Sequence, residues 1–196
     1  MLKEKITFTD SKIQLSHGAG GKASRKLIDG LLVPYLNIHE LNDAAYVQAE
    51  NEKIAFTSDS FVVSPLRFPG GSIGELAVNG TVNDIAMGGA KPLAIVSTLI
   101  IEAGLETTIL EEEIKAMGEA AKQANVSIVD GDTKVVEYQK ADKLFISTAG
   151  IGLVDPRVNL SASRVKPGDK IILSGPIGDH GITILFARGE LDLEAD

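Results

Sequence analysis

The 196-residue sequence predicts an α+β protein, with a mostly antiparallel or mixed sheet carrying helices on one face. Three observations lead there. Segments rich in β-branched residues recur along the chain with short connections between them. Only two long helical patterns separate them, so the strict strand–helix alternation of a doubly wound parallel sheet is missing. The chain is 44% hydrophobic, enough for one well-buried core and the beginning of a second.

The elements follow in order. The stretch SHGAGGKAS, residues 16–24, reads as a glycine-rich loop with no large apolar anchor. It fails the Walker pattern at both ends, with Ser16 where the first Gly belongs and Ala23 where Ser or Thr belongs. AAYVQA (44–49), KIAFTSD (53–59) and FVVSP (61–65) read as strands, the last two as a hairpin-like pair. GSIGELAVNGTVNDIAMGGA (71–90) is helical, with Ile73, Leu76 and Ala77 on one face and Val78, Val82 and Ile85 on another, which predicts a buried helix. LAIVSTLII (93–101) is a strand apolar on both faces. TTILEEEIKAMGEAAKQANV (107–126) places Leu110, Ile114, Met117, Ala121 and Ala124 on one stripe and Glu111, Glu112, Glu113 and Lys115 on the wet side. VSIVD (126–130) and TKVVE (133–137) form a second hairpin-like pair, and KLFISTAGIGLV (143–154) a further strand. DPRVNLSASRVKPGDK (155–170) reads as a linker, and KIILSGPIGDHGITILFARGE (170–190) as strand, glycine loop and helix. The expected organisation is one domain over 1–155 and, over 156–196, the start of a second α/β domain.

The net charge of −8 argues against nucleic acid or an anionic membrane surface as partner. There is no cysteine, which excludes disulfides and thiolate chemistry within these residues. No signal peptide and no apolar run long enough to span a bilayer is visible, so the expected location is cytoplasmic.

Chemistry concentrates in the aspartates. Asp43, Asp59, Asp84, Asp130 and Asp132 each sit at the end of an apolar segment beside small residues. Singly, each reads as a turn or cap residue. Together, facing Gly18, Gly20, Gly21 and Lys22, with Lys134 nearby, they suggest a metal–nucleotide site. Mg²⁺ takes hard oxygen ligands and bridges carboxylates to phosphates, whose charge lysines offset. Asp84, eleven residues after Ile73, falls near the same helix face and so in buried surroundings. His17 and His39 read as surface or loop residues, and His180 in GDHG as a weaker candidate for the site.

The motifs SHGAGGK, TSDSFVVSP, GGSIGELAVNGTVNDIAMGGAKPL, VDGDTKVV and SGPIGDHGI, in that order from residue 16 to 181, resemble the HypE family of hydrogenase-maturation proteins. That family belongs with aminoimidazole ribonucleotide (AIR) synthetase, selenophosphate synthetase and thiamine-monophosphate kinase in one ATP-dependent superfamily. The resemblance implies two α/β domains per subunit, the N-terminal ones pairing into a barrel in a homodimer. It implies ATP and Mg²⁺, with Asp43, Asp59, Asp84 and Asp132 as metal ligands. Gly18, Gly20, Gly21, Lys22, Asn83 and Lys134 would bind nucleotide, Lys134 also as the catalytic residue. The implied activity is that of an ATP-dependent carbamoyl dehydratase. A carbamoyl group arrives on a C-terminal cysteine from a HypF-like carbamoyltransferase. Phosphorylation of its oxygen, then loss of phosphate, leaves a thiocyanate, whose cyano group passes through a HypC–HypD complex to the iron of [NiFe] hydrogenases. This sequence departs from the pattern by having no cysteine and ending at Asp196, where the family continues through most of a second domain. It therefore reads as the N-terminal portion, either a piece or a shortened relative. The alternatives are a kinase or synthetase of the same superfamily and a non-catalytic dimerisation module.

Overall fold

The computed structural model describes residues 6–36, 38 and 41–190; His39 lies outside them. It divides into two compact units, one up to Leu41 and one from Asn42 onward.

The first unit is helical. A single 3-10 turn, Leu15–His17, precedes α1 (Gly21–Leu27), a π-helical turn (Ile28–Leu32) and α2 (Val33–Leu36). The glycine-rich stretch is thus a short turn rather than a nine-residue loop. Gly20 and Gly21, at φ 78° and 72°, turn the chain into α1. His17 is buried, contrary to the surface position expected. Its Nδ1 accepts the Gln14 N–H at 2.9 Å, so in the neutral ring Nε2 carries the proton, 3.0 Å from Asp10 Oδ2. Lys26 Nζ also reaches Asp10, at 3.0 Å, and together these pull the Asp10 carboxyl below the usual aspartate range.

The second unit carries a five-stranded sheet in the order β1-β2-β7-β5-β6. Its strands are β1 (Ala45–Ala49), β2 (Glu52–Phe61), β5 (Ala90–Glu102), β6 (Ser127–Val136) and β7 (Leu144–Val154). A small ribbon of β3 (Arg67–Phe68) and β4 (Gly71–Ser72) leads into α3 (Ile73–Met87). All sheet pairs are antiparallel except β5 with β6. That parallel pair needs a crossover, supplied by α4 (Thr107–Gln123). The mixed α/β sheet expected from sequence is present.

Neither expected hairpin forms: β2 ends at Phe61 with no strand over 62–65, and the second pair is the single strand β6. β2 pairs with β7 without a break from Ile54 to Phe61, so Asp59 lies inside a strand. β6 runs straight through Asp130-Gly131-Asp132, a tripeptide that reads as a turn by composition. Gly131 serves close approach instead: a Cβ there would strike the Ser97 carbonyl of β5.

α3 buries Ile73, Gly74, Ala77, Val78, Thr81 and Ile85 against the sheet and α4. Its first turn is capped by the Ser72 hydroxyl, which accepts the Glu75 N–H. The main core joins Ile73, Val78, Ile95, Leu144 and Ile146 with Met117 of α4. Two expectations for α4 are overturned. Ile114 is 42% exposed and Glu113 is fully buried. The reason is the helix crossing at Gly74, where the backbone of Glu113 presses so close that no Cβ fits. There the Glu113 carboxylate accepts the Gly74 N–H at 3.0 Å and lies 3.0 Å from Arg67 Nε. It satisfies an N-terminal donor of α3 that has no partner within the helix, and it sits at the positive end of that helix's dipole.

Beyond β7, no strand forms at residues 170–174. A strand needs a partner, and no described segment pairs with this one; Ile171 and Ile172 are almost fully exposed. The expected helix follows as α5 (Asp179–Ala187). Its Ile184 joins the main core, His180 meets the Phe68 ring edge-on at 5.5 Å, and Arg188 Nε donates to the Ser64 carbonyl at 2.7 Å.

Candidate metal and nucleotide site

Strand alternation decides which side chains meet α3. On β2, Ala55, Thr57 and Asp59 face the helices, while Ile54, Phe56 and Ser58 face the other way. Asp43 lies just before β1. Asp84 lies in the last turns of α3, half-buried above β2.

Two glycines bring α3 down onto the sheet. A Cβ on Gly150 would lie 2.7 Å from Thr81 Cγ2, and one on Gly152 would lie 2.5 Å from Ile85 Cγ2. Any larger residue on this part of β7 would lift α3 away. With both glycines, Asp84 Oδ2 comes within 3.1 Å of the Thr57 hydroxyl, which is itself 3.0 Å from the Asp43 carbonyl. Thr57 is only 7% exposed.

The Asp84 carboxyl is raised above the usual aspartate range. Desolvation is the main cause, followed by the charge of Asp59; Asp43 adds to it and the Thr57 hydrogen bond opposes it. Asp43, Asp59 and Asp84 are therefore electrostatic neighbours. Among the described residues no three acidic or histidine side chains converge closely enough to enclose a metal ion. The donor set still suits Mg²⁺, which is commonly held by one or two carboxylates and completes its shell with water and substrate phosphate. A cation here would relieve the like-charge crowding that raises Asp84.

A polar row runs from this cluster across the helix-facing side of the sheet. Asp59 stands opposite Thr148, Thr148 opposite Ser97, and Ser97 opposite Gly131. The Thr81 hydroxyl of α3 donates to the Ala77 carbonyl, so the buried Thr148 hydroxyl donates to Thr81. Ser97 Oγ is buried without a partner and lines a cavity of about 330 Å³ between α4 and β6, walled by Leu99, Met117 and Ile128.

Asp132 is not brought into the acidic cluster. It sits beside Thr98 on β6, and alternation from Ser97 and Gly131 turns it to the face opposite α3. Three strand spacings, about 14 Å, also separate β6 from β2. Lys134 shares that face, with Nζ 3.5 Å from Asp132 Oδ2, and both are largely exposed. Asp130 caps the Gly131 N–H at 2.8 Å. Asn83 is exposed on α3 beside Asp84. In the first unit, Gly18 follows the 3-10 turn, and Lys22 is the second residue of α1, exposed and near Arg25 and Lys26. Thr57, Thr148 and Gly150 escaped sequence reasoning. The available signal was the period-two placement of Thr57 and Asp59 on one strand face.

A mixed sheet with α3 packed on one face and carboxylates gathered at one end defines the class of protein. The family model for AIR synthase related protein, N-terminal domain, matches residues 41–154, and the chain belongs to that family. Within it, the particular relative matched is the carbamoyl dehydratase HypE. That of Rhizobium leguminosarum bv. viciae is 45% identical over 99% of this chain and 56% of its own length. The solved HypE–HypF complex contains a chain 46% identical, with a TM-score of 0.80 over 86% of this chain and 55% of that one. The structure of HypE in complex with ATP is 45% identical, with a TM-score of 0.71 over 94% of this chain and 56% of that one. This chain thus spans about half the length of the curated relatives it matches.

Proposed function

We propose that this chain is the nucleotide- and metal-binding portion of a HypE-type carbamoyl dehydratase acting in hydrogenase maturation. The observation that carries the reading is the coupled Asp43–Asp59–Asp84 cluster, in a chain 45% identical to a HypE whose structure holds ATP. One or two of the carboxylates of Asp43, Asp59 and Asp84 would hold Mg²⁺, with water and the nucleotide phosphates completing its shell. Asn83, next to Asp84 on α3, would support them, and the Gly18–Lys22 segment would offer backbone N–H groups and a lysine to phosphate oxygens. Bound Mg²⁺ supplies charge neutralisation on the transferring phosphoryl group.

The reaction balances as follows. The carbamoyl oxygen of a thiocarbamate attacks the γ-phosphorus, ADP leaves and the carbamoyl nitrogen gives up one of its two protons; loss of phosphate together with the second N–H proton then leaves a nitrile. The acceptor thiol is not among these 196 residues, which contain no cysteine. The solved complex of a relative with HypF supports a HypF-like carbamoyl donor, and a HypC–HypD complex as cyano acceptor belongs to the same proposal.

A homodimer in a cytoplasmic setting completes it. The helix-free face of the sheet exposes Phe56, Val96 and Leu153, the kind of apolar surface that a second copy covers. Asp132 and Lys134 lie on this same face, so pairing brings them to the interface. Residues 156–196 are proposed as the start of the second domain. Among the described residues no helix is long and apolar enough to cross a membrane.

Calorimetric titration with Mg²⁺–ATP tests the reading. Mg²⁺-dependent binding that Asp84→Asn weakens at least about tenfold is the expected result. Binding that is absent, or unchanged in that variant, overturns it.

A further inference from the structure

Thr57 lies in no catalytic role proposed above, yet its hydroxyl touches two parts of the acidic cluster. Oγ1 is 3.0 Å from the Asp43 carbonyl and 3.1 Å from Asp84 Oδ2, and it has one proton to donate. When Asp84 is ionised, the charge-assisted bond to its carboxylate is the stronger one. Donation to the Asp43 carbonyl instead would leave two oxygens facing each other 3.1 Å apart with no hydrogen between them. At 7% exposure there is little room for water to take over the role. The position is also rigid: Thr57 is a β-branched residue within β2, paired with Gly150 of β7.

We propose that Thr57 is a positioning residue that sets cation selectivity: by engaging Oδ2 of Asp84, it leaves that carboxylate a single free oxygen, Oδ1, and so favours Mg²⁺ over Ca²⁺. The chemistry follows from ion size. Mg²⁺ demands near-ideal octahedral geometry at about 2.0–2.1 Å, which a carboxylate satisfies with one oxygen. Ca²⁺ accepts six to eight ligands at about 2.3–2.6 Å and tolerates a bidentate carboxylate. A hydroxyl that keeps one oxygen occupied therefore penalises the larger ion. The same bond ties β2, which also carries Asp59, to the part of α3 that carries Asp84, holding two of the proposed ligands in register. The inference rests on the reading of Asp84 as a metal ligand.

The test is titration of Mg²⁺ and, separately, Ca²⁺ into wild type, Thr57→Val, Thr57→Ser and Asp84→Asn, each with a saturating non-hydrolysable ATP analogue. Thr57→Val keeps the shape and deletes the hydroxyl; Thr57→Ser keeps the hydroxyl. The expected result is a fall of about tenfold or more in the ratio of Mg²⁺ to Ca²⁺ affinity for Thr57→Val, with Thr57→Ser close to wild type. Equal losses for both ions indicate a merely structural role and overturn the proposal, as does an unchanged ratio of the two affinities in Thr57→Val. If Asp84→Asn abolishes binding while Thr57→Val does not affect it, only the Thr57 inference falls. If Asp84→Asn binds Mg²⁺ as wild type does, the metal-site reading itself fails and takes this inference with it. Should Thr57→Val not fold, as judged by its thermal transition, Thr57→Ala carries the same comparison.

Discussion

Asp84 shows how one residue acquires its properties from neighbours far away in sequence. Burial beneath α3 and the charge of Asp59 favour its protonated form in the folded protein. Its folded pKa thus stands above the unfolded value of 3.8, and the metal-free protein loses stability as pH rises from there through the folded value. Asp84→Asn should therefore melt higher than wild type at pH 7 without metal. The difference should vanish at pH 3, where Asp84 is protonated in both states. A variant that melts lower at pH 7 would contradict this account. Excess Mg²⁺ should reverse the order, because only wild type gains the ligand.

Among the elements, α3 is held by contacts at both ends that sequence patterns do not reveal. At its start, Glu113→Ala leaves the Gly74 N–H without its partner and opens a cavity at the α3–α4 crossing. A loss of about 2–4 kcal/mol in chemical denaturation is expected. Glu113→Gln keeps an acceptor and should lose less. Over the sheet, Gly152→Ala places a Cβ 2.6 Å from the Lys91 carbonyl, which is backbone and cannot rotate away. It should cost about 1–3 kcal/mol and weaken Mg²⁺–ATP binding by lifting Asp84 from Thr57. The turn before α1 supplies an independent check. Hydrogen exchange over residues 16–24 should slow when Mg²⁺–ATP is added. Unchanged exchange there would reduce that turn to a structural feature of the helical unit.

Within the second unit, one face of the sheet lies under α3 and α4, and no described helix of that unit covers the other. The bare face is apolar along one cross-strand row, Phe56, Ile151 and Ala94 of β2, β7 and β5. It is polar near Ser60, Ser147, Thr98 and Asp132. Sedimentation equilibrium at micromolar concentration should show a dimer. Phe56→Asp, which puts a charge in the middle of the apolar part, should shift it to monomer without unfolding it. A stable wild-type monomer would remove the proposed pairing, and with it the placement of Asp132 and Lys134 at an interface.

Much of this architecture was legible in the sequence. β-branched runs located β1, β5 and β7, and the apolar periods of residues 71–90 and 107–126 located α3 and α4, because those signals are local. The candidate ligands Asp43, Asp59 and Asp84 were also legible as small-residue-flanked carboxylates. Composition misled where long-range pairing overrode it. Asp-Gly-Asp became the middle of β6 because β5 needed a neighbour without a Cβ. Glu113 became core because a helix N-terminus arrived above it. His17 became buried because Asp10 and Gln14 closed on its ring. The strand expected at 170–174 has no partner among the described residues. By itself the sequence determined element types and the residues capable of metal chemistry. Only the tertiary structure decided which of them meet: register and face are set by pairing between distant strands and by the packing of α3, which set Asp84 and the Asp43 carbonyl against Thr57 while Asp132 turned to the other side.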